Sequence, residues 1–416
     1  MPRIVLLGTA DSKLEELLFL RARILESGGR QCSITFVDVG RSNVENEHID
    51  VSQKTLTTHY APQEDASQDV STLARGDVIK HMIACASHWL REAYQEGLRE
   101  PSKAVHGVIS AGGTGGTSLA SGVMRDTLPL GLPKLIVSTN ASGDTRPVVG
   151  ETDITMMPSV CDIAGLNHLL RQILTNAAGA IAGMATAYER STTTAADAQQ
   201  QQQQRQQRKK RVGLTMFGVT TPCVDKIRSH LESRYAIETF VFHCTGAGGR
   251  ALERLVAADS LDAVLDVTTT EICDHGIPCV ISVGATDMVN FGPRATVPER
   301  YRGRRLWEHN PVTTLMRTTP EECRAVGDFL VEKIRRCARE TAKVQVVLPR
   351  GGVSMMAVPG APFYDAEADA ALFSSIRDGL EGSDVSVVED QRAINDEAFA
   401  VDLAERLVDI MGIRRK

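Results

Sequence analysis

Residues 105–118 read VHGVISAGGTGGTS: a β-branched apolar run, then four glycines within five residues, then hydroxyl side chains. Behind them a helix-like stretch runs from about Thr117 to Asp126. A strand that breaks into a small-residue turn and re-emerges as a helix is the βα unit of a parallel sheet. The turn's amides and the helix N-terminus then converge on one point, which suits an anion. The alternative is a tight turn whose glycines serve backbone geometry only.

Working outward, the same order of signals occurs twice. RIVLLGTAD (3–11), an amphipathic run from Leu14 to Ser27, SITFVDVG (33–40), HGVISAGG (106–113) and PKLIVSTNASGD (133–144) occupy the first half. VGLTMFGVTTP (212–222), a helix from about Pro222 to Arg234 with Thr221 as candidate N-cap, ETFVFHCTGAGG (238–249), LDAVLDVTT (261–269) and PCVISVGATD (278–287) occupy the second. Apolar strands alternating with helices imply parallel sheets covered on both faces. From Asp77 to about Tyr94, the stripe Ile79, Met82, Ile83, Ala86, Trp89, Leu90 and Ala93 reads as a core face.

Between the halves, Ser191–Arg211 carries a Ser/Thr/Ala stretch, eight glutamines and then Arg208, Lys209, Lys210 and Arg211. It offers no apolar face to offset the entropy of ordering and reads as a disordered linker. The fold class is therefore α/β, with two doubly wound, Rossmann-like parallel-sheet subdomains: 1–190, the Gln-rich linker 191–211, and 212–416.

The second half has one irregularity. Its third and fourth strands are separated only by Thr270–Pro278, short for a parallel crossover, which needs roughly ten to twelve residues. Either those strands are not parallel neighbours, or a turn-helix segment is missing near 274–276.

Composition narrows the function classes. Apolar residues at 42% and charged residues at 24% match an ordinary globular chain able to build its own core. A net charge of −6 and sparse aromatics argue against nucleic acid as a partner. Nine scattered cysteines without a CxxC pair fit reduced thiols and a cytoplasmic location. No apolar run is long enough for a bilayer, and no membrane partner is expected.

Candidate site residues cluster after strand-like runs, where doubly wound folds bind ligands. Gly112, Gly113, Thr114, Gly115, Gly116, Thr117 and Ser118 form the candidate phosphate turn. It lacks the lysine of a Walker A motif, so P-loop ATPase chemistry is not supported. Thr9 and Asp11 can line the same cleft, and Asp38 stands where an acid can accept a ribose hydroxyl. Ser138, Gly143 and Asp144 follow the fourth strand, with Arg146 available to a phosphate or to Asp153. Gly246, Gly248, Gly249 and Arg250 form a second possible anion site. Glu271 and Asp287 are acid-base candidates if an enzyme cleft exists. Cys273, His275 and Cys279 lack an evident fourth ligand, and no metal site is assigned.

The stretches LLGTADSK, GGTGGTSLA, SVCDIAGLN, GLTMFGVTTPCV, VFHCTGAGGRA, GATDMVNFG and HNPVTTLMRTTPEE, in that order, resemble the tomato mosaic virus resistance protein-like ATP-binding proteins nearly end to end. The resemblance implies two α/β subdomains, ATP with Mg2+ in the first, and a homodimer. The plant member of that family binds a viral replication protein, a property that no motif here carries over. Where the family has a Gly-rich turn and helix, this chain passes from Cys273-Asp274 directly to His275. The leading expectation is an ATP-binding protein acting through binding and conformational control, with an unidentified protein partner. The alternatives are an enzyme on a small phosphorylated or carboxylated metabolite in a cleft between the subdomains, and a scaffold without nucleotide affinity.

Overall fold

The computed structural model describes the chain apart from residues 30–31, 63–69, 194–208, 245, 269–275, 339 and 416. It divides into two compact units, Met1–Arg205 and Gln206–Lys416. The glutamine tract lies outside the described residues.

In the first unit five strands form one parallel sheet: β1 (Arg3–Gly8), β2 (Ser33–Asp38), β3 (Gly107–Gly112), β4 (Lys134–Ser138) and β5 (Thr155–Pro158). Their order is β2-β1-β3-β4-β5. The helices are α1 (Ala10–Gly28), α2 (Gln53–His59), α3 (Arg75–Arg99), α4 (Thr114–Thr127), the single turn α5 (Arg146–Val149) and α6 (His168–Thr193). Both sheet faces are buried, which is why the strands read as continuous apolar runs. Ile4, Leu6, Ile109 and Leu135 pack with Leu17 and Leu20 of α1 and Leu174 and Ile181 of α6. Val5, Leu7, Val108 and Ile136 meet Met82 and Trp89 of α3 and Val123 of α4 on the opposite face. The expected stripe on α3 is this core face, with Ile79 and Ile83 only partly buried at its edge. Lys134 is fully buried, its ammonium donating to Asp153 at 2.7 Å and to the carbonyls of Pro129 and Leu132.

In the second unit, β6 (Lys210–Met216), β7 (Ile237–His243), β8 (Ala263–Asp266) and β9 (Cys279–Ser282) belong to a six-stranded parallel sheet. β10 (Met288–Phe291), β11 (Leu306–Asn310) and β12 (Thr313–Arg317) form a separate antiparallel sheet in the order β10-β12-β11, which strand counting by the repeat does not anticipate. β13 (Val344–Pro349) and β14 (Ser386–Asp390) complete the large sheet, whose order is β14-β13-β9-β8-β6-β7. Helices α7 (Thr221–Arg234), α8 (Ala247–Ala257), α9 (Pro320–Cys337), α10 (Ala366–Leu380) and α11 (Glu397–Met411) cover it. α7 and α11 lie on one face, through Ile227, Leu231, Leu403 and Leu407. α8, α9 and α10 lie on the other, through Leu252, Leu330 and Leu372.

Three expectations are corrected here. β8 and β9 are parallel neighbours, with Val264 opposite Cys279 and Asp266 opposite Ile281, so the reading in which they are not adjacent falls. β6 begins at Lys210 and takes in Arg211, because Asp262 holds both residues; composition alone had assigned them to the linker. Thr221 is the first residue of α7 and Thr220 occupies the cap position, while the Thr221 hydroxyl donates to the Gly218 carbonyl.

Each unit thus shows the same arrangement, with its second strand at the edge, its first beside it, and its third and fourth beyond. Chain direction across the sheet reverses between the first and third strands. Their carboxyl ends splay there and leave a crevice.

Candidate functional site

The first-unit crevice lies between the ends of β1 and β3. β3 stops at Gly112, Gly113 caps α4 in an extended conformation, and the first helical bond runs from the Thr117 amide to the Gly113 carbonyl. The amides of Thr114, Gly115 and Gly116 are therefore the helix's opening donors, turned outward with the positive end of its dipole. A Cβ on Gly112 would sit 3.3 Å from the Gly116 Cα, so that glycine serves close packing. A Cβ on Gly116 would meet nothing within 4 Å, so there the missing side chain leaves the amides bare rather than relieving a clash.

The cleft has a volume of about 420 Å3. Thr9 comes from the β1–α1 turn, Asp11 and Lys13 from the start of α1, Arg41 from the loop after β2, Arg75 from the start of α3, and the glycine turn from the start of α4. Val39, Val78, Ile79 and Leu119 supply an apolar wall. The Asp11 carboxylate accepts the amides of Arg41 at 2.8 Å and Ser42 at 3.2 Å, tying two rim loops together. Lys13 reaches the Ile163 carbonyl and Arg41 the Leu73 carbonyl. The Arg75 guanidinium lies against the turn, 3.4 Å from where a Gly115 Cβ would be. Three cations against one carboxylate give the described lining a positive balance.

Several residues singled out from the sequence hold other positions. Asp38 is fully buried and does not line the cleft; its carboxylate accepts the amides of Ala10 at 3.0 Å and Gly40 at 2.9 Å. Burial pushes its pKa up to about 6. It braces the loops that carry Thr9 and Arg41 rather than facing a ribose. Thr117 and Ser138 are buried and bond each other at 2.7 Å, joining α4 to β4. Ser118 is exposed and outside the lining, as are Gly143 and Asp144. Asp144 is held by Arg146 through bonds of 2.9 and 2.8 Å, which lower its carboxyl to about 2. Arg146 thus pairs with Asp144, and Asp153 with Lys134.

In the second unit Gly246 caps α8 with φ +90°. A Cβ on Gly248 would fall 2.0 Å from the His243 carbonyl oxygen, so that glycine is demanded by strand–helix packing. Gly249 is buried and Arg250 exposed. Asp287 is fully buried. Its carboxylate accepts the Ser354 hydroxyl at 2.8 Å, and burial pushes its pKa up to about 6 while nearby Arg317 pulls it down. Arg317 pairs with Asp369 at 2.6 Å, both more than nine-tenths buried. Asp287 therefore belongs to a buried polar network beneath the antiparallel sheet. Glu271, Cys273 and His275 lie outside the described residues.

Lys13, Arg41 and Arg75 are the cleft residues that sequence reasoning missed. Lys13 was within reach, since it ends the LLGTADSK stretch. Arg75 opens a helix far along the chain from the glycine turn, and only the folding of α3 against α4 brings it there.

Fold and cleft define a class: a two-unit α/β protein whose first unit presents a cationic, glycine-lined crevice at a topological switch point. The chain belongs to the uncharacterised protein family UPF0261, whose N-terminal domain matches residues 2–190 and whose C-terminal domain matches 209–276 and 274–411. The C-terminal match breaks at the short connection seen in the sequence. A UPF0261 protein of Mesorhizobium japonicum is 42% identical over 395 residues, covering 90% of this chain and 91% of its own. One from Clostridium tetani is 38% identical, covering 98% and 99%. The ToMV resistance protein Tm-1(GCR237) of Solanum lycopersicum is 37% identical over 98% of this chain, which spans 56% of the tomato protein. No described helix is long and apolar enough to cross a membrane.

Proposed function

We propose that the first unit binds ATP with Mg2+ in the switch-point crevice, and that the chain acts through this binding as a homodimer. The observation that carries the reading is the bare turn Gly113–Gly116, which opens the α4 N-terminus toward Lys13, Arg41 and Arg75. Backbone amides and guanidinium groups together suit the oxygens of a phosphate chain. The apolar wall of Val39, Val78, Ile79 and Leu119 suits a base, and the volume of about 420 Å3 lies within the range of small-molecule sites. Asp11, Thr9 and Thr114 are the oxygen donors available to a phosphate-bound magnesium. The homodimer rests on family resemblance alone.

Calorimetric titration of the full chain with Mg-ATP, beside Arg75→Ala, tests the nucleotide. Saturable binding is expected. Loss of a charge-assisted contact of about 1.5–3 kcal/mol weakens it roughly 10- to 150-fold in a variant whose circular dichroism is unchanged. No binding by the wild-type chain refutes the proposal and leaves the metabolite-enzyme and scaffold readings. Phosphate release from bound ATP would move the protein into the enzyme class.

A further inference from the structure

We infer that the first unit holds a second ligand site, independent of the nucleotide reading: a cavity beside α3 that binds an acidic α-amino acid through Glu92 and the Trp89 indole. The cavity, about 430 Å3, is lined by Arg3 of β1, by Tyr60, and by Trp89, Glu92, Glu96 and Arg99 of α3. Arg3 opens β1 whereas Thr9 follows its carboxyl end, so this cavity lies at the opposite end of that strand from the switch-point crevice.

One buried polar group opens into it unanswered. Trp89 is 7% exposed and lines the cavity, and its indole N–H donates to no acceptor among the described residues. That N–H is not enclosed by protein either, so the little surface Trp89 keeps includes its one polar atom. Buried indole donors are normally satisfied, and one that meets open space on a cavity wall calls for an acceptor. Glu92 stands one turn further along the same face of α3, about 5–6 Å away at Cβ. Its carboxylate has no cationic partner among the described residues, whereas Glu96 and Glu100 share Lys103 at 2.6 and 3.1 Å. Tyr60 borders both groups, its phenol pushed up by burial and then by the Glu92 and Glu96 carboxylates.

A carboxylate and an N–H donor one helical turn apart match the ammonium and carboxylate that an α-amino acid carries on a single carbon. A bare amine leaves the indole N–H unmet, and a dicarboxylate meets Glu92 with like charge. The other end of the cavity sets the side chain. Arg3 donates to the Thr35 hydroxyl at 3.0 Å and the Lys103 carbonyl at 2.9 Å, and Arg99 to the Gln95 carbonyl at 3.4 Å. Neither guanidinium is paired with a carboxylate among the described residues. Arg99 lies seven residues past Glu92, roughly 10 Å along the helix, and helical side chains lean back toward the N-terminus. Its guanidinium and that of Arg3 are therefore placed for a carboxylate carried on the ligand's side chain. The unpaired groups, Glu92 against Arg3 and Arg99, leave one positive charge, which an acidic amino acid balances.

The test titrates the full chain, labelled with 15N at its two tryptophans Trp89 and Trp307, with L-glutamate and follows the indole N–H resonances. The Trp89 resonance, assigned as the one that survives in Trp307→Phe, is expected to shift saturably in the millimolar range while that of Trp307 stays put. Glutarate, which lacks the ammonium, and 4-aminobutyrate, which lacks the α-carboxylate, should each bind roughly 10-fold more weakly. Glu92→Gln and Arg99→Gln alter exposed side chains, and each should weaken glutamate roughly 10-fold, with circular dichroism confirming that the fold is retained. Arg75→Ala, in the switch-point crevice, should change nothing at this resonance, so failure of the nucleotide site and failure of this one read out separately. No shift of Trp89, an unchanged titration in Glu92→Gln or Arg99→Gln, or binding of glutarate or 4-aminobutyrate as tight as that of glutamate would overturn the inference.

Discussion

Replacing Gly116 by alanine separates what the glycine turn does for the fold from what it does for a ligand. Gly116 is the third residue of α4, and its added methyl would meet no atom within 4 Å. Glycine in a helix is less favourable than alanine by about 0.8–1 kcal/mol, somewhat less in a first turn. Gly116→Ala should therefore stabilise the first unit by roughly 0.5–1 kcal/mol, which for about 200 residues raises Tm by ~1–4 °C. The same methyl stands on the cleft side of the opening amides. Keeping a phosphate from one charge-assisted bond costs about 1.5–3 kcal/mol, a roughly 10- to 150-fold loss of Mg-ATP affinity. Scanning calorimetry and titration calorimetry on one preparation read both effects. Gly112→Ala should do the reverse to stability, because its methyl would press on the Gly116 backbone at 3.3 Å. Unchanged ATP affinity in Gly116→Ala would remove phosphate from this turn. A lower Tm would mean that the turn resists a side chain for reasons other than space.

The buried carboxyls and the buried ion pair give two further predictions. Asp287, raised by burial from 3.8 to about 6, is protonated in both states well below pH 3.8 and must ionise against burial as pH rises. Its contribution to stability is thus lost between about pH 4 and 6. The stability of Asp287→Asn relative to wild type should rise through that interval toward about 3 kcal/mol, measured by urea unfolding at each pH; a flat difference refutes the raised pKa. Arg317→Ala strands the buried Asp369 carboxylate and should destabilise the second unit by about 3–5 kcal/mol, while the first unit's thermal transition stays where it was.

The large sheets were legible because parallel strands buried on both faces leave an unbroken apolar signature. Ile4–Leu7 point alternate residues into two cores that both demand hydrocarbon, and Val212 and Leu214 fill one core while Gly213 lets Leu252 approach on the other face. The antiparallel strands β10–β12 were not, since their outer positions such as Val289 and Trp307 are exposed and the segments are short. Strand-end residues were legible as a set and ambiguous one by one. Thr9, Asp11 and Gly113–Gly116 reach the cleft, while Asp38, Thr117 and Ser138 turn inward to brace it. A polar residue at a strand's carboxyl end can either face a ligand or satisfy a neighbouring loop's amides, and alternation along the strand does not distinguish the two once the chain leaves it. Arg75 lay beyond any local pattern.

The two crevices show how far topology constrains function and where it stops. Both occupy the reversal between first and third strands of equivalent sheets, so the fold fixes their location. What each can hold depends on the side chains and amides that line it. In the first unit the glycine turn lines the crevice together with Lys13, Arg41 and Arg75. In the second the third strand ends at Asp266, and the lining carries no charge among the described residues. Equivalent positions in two sheets thus carry different described linings, so topology places a crevice without fixing its chemistry. Substitutions at Arg75 and Gly116 should therefore change ligand affinity in the first crevice and leave the second unit's crevice as it is.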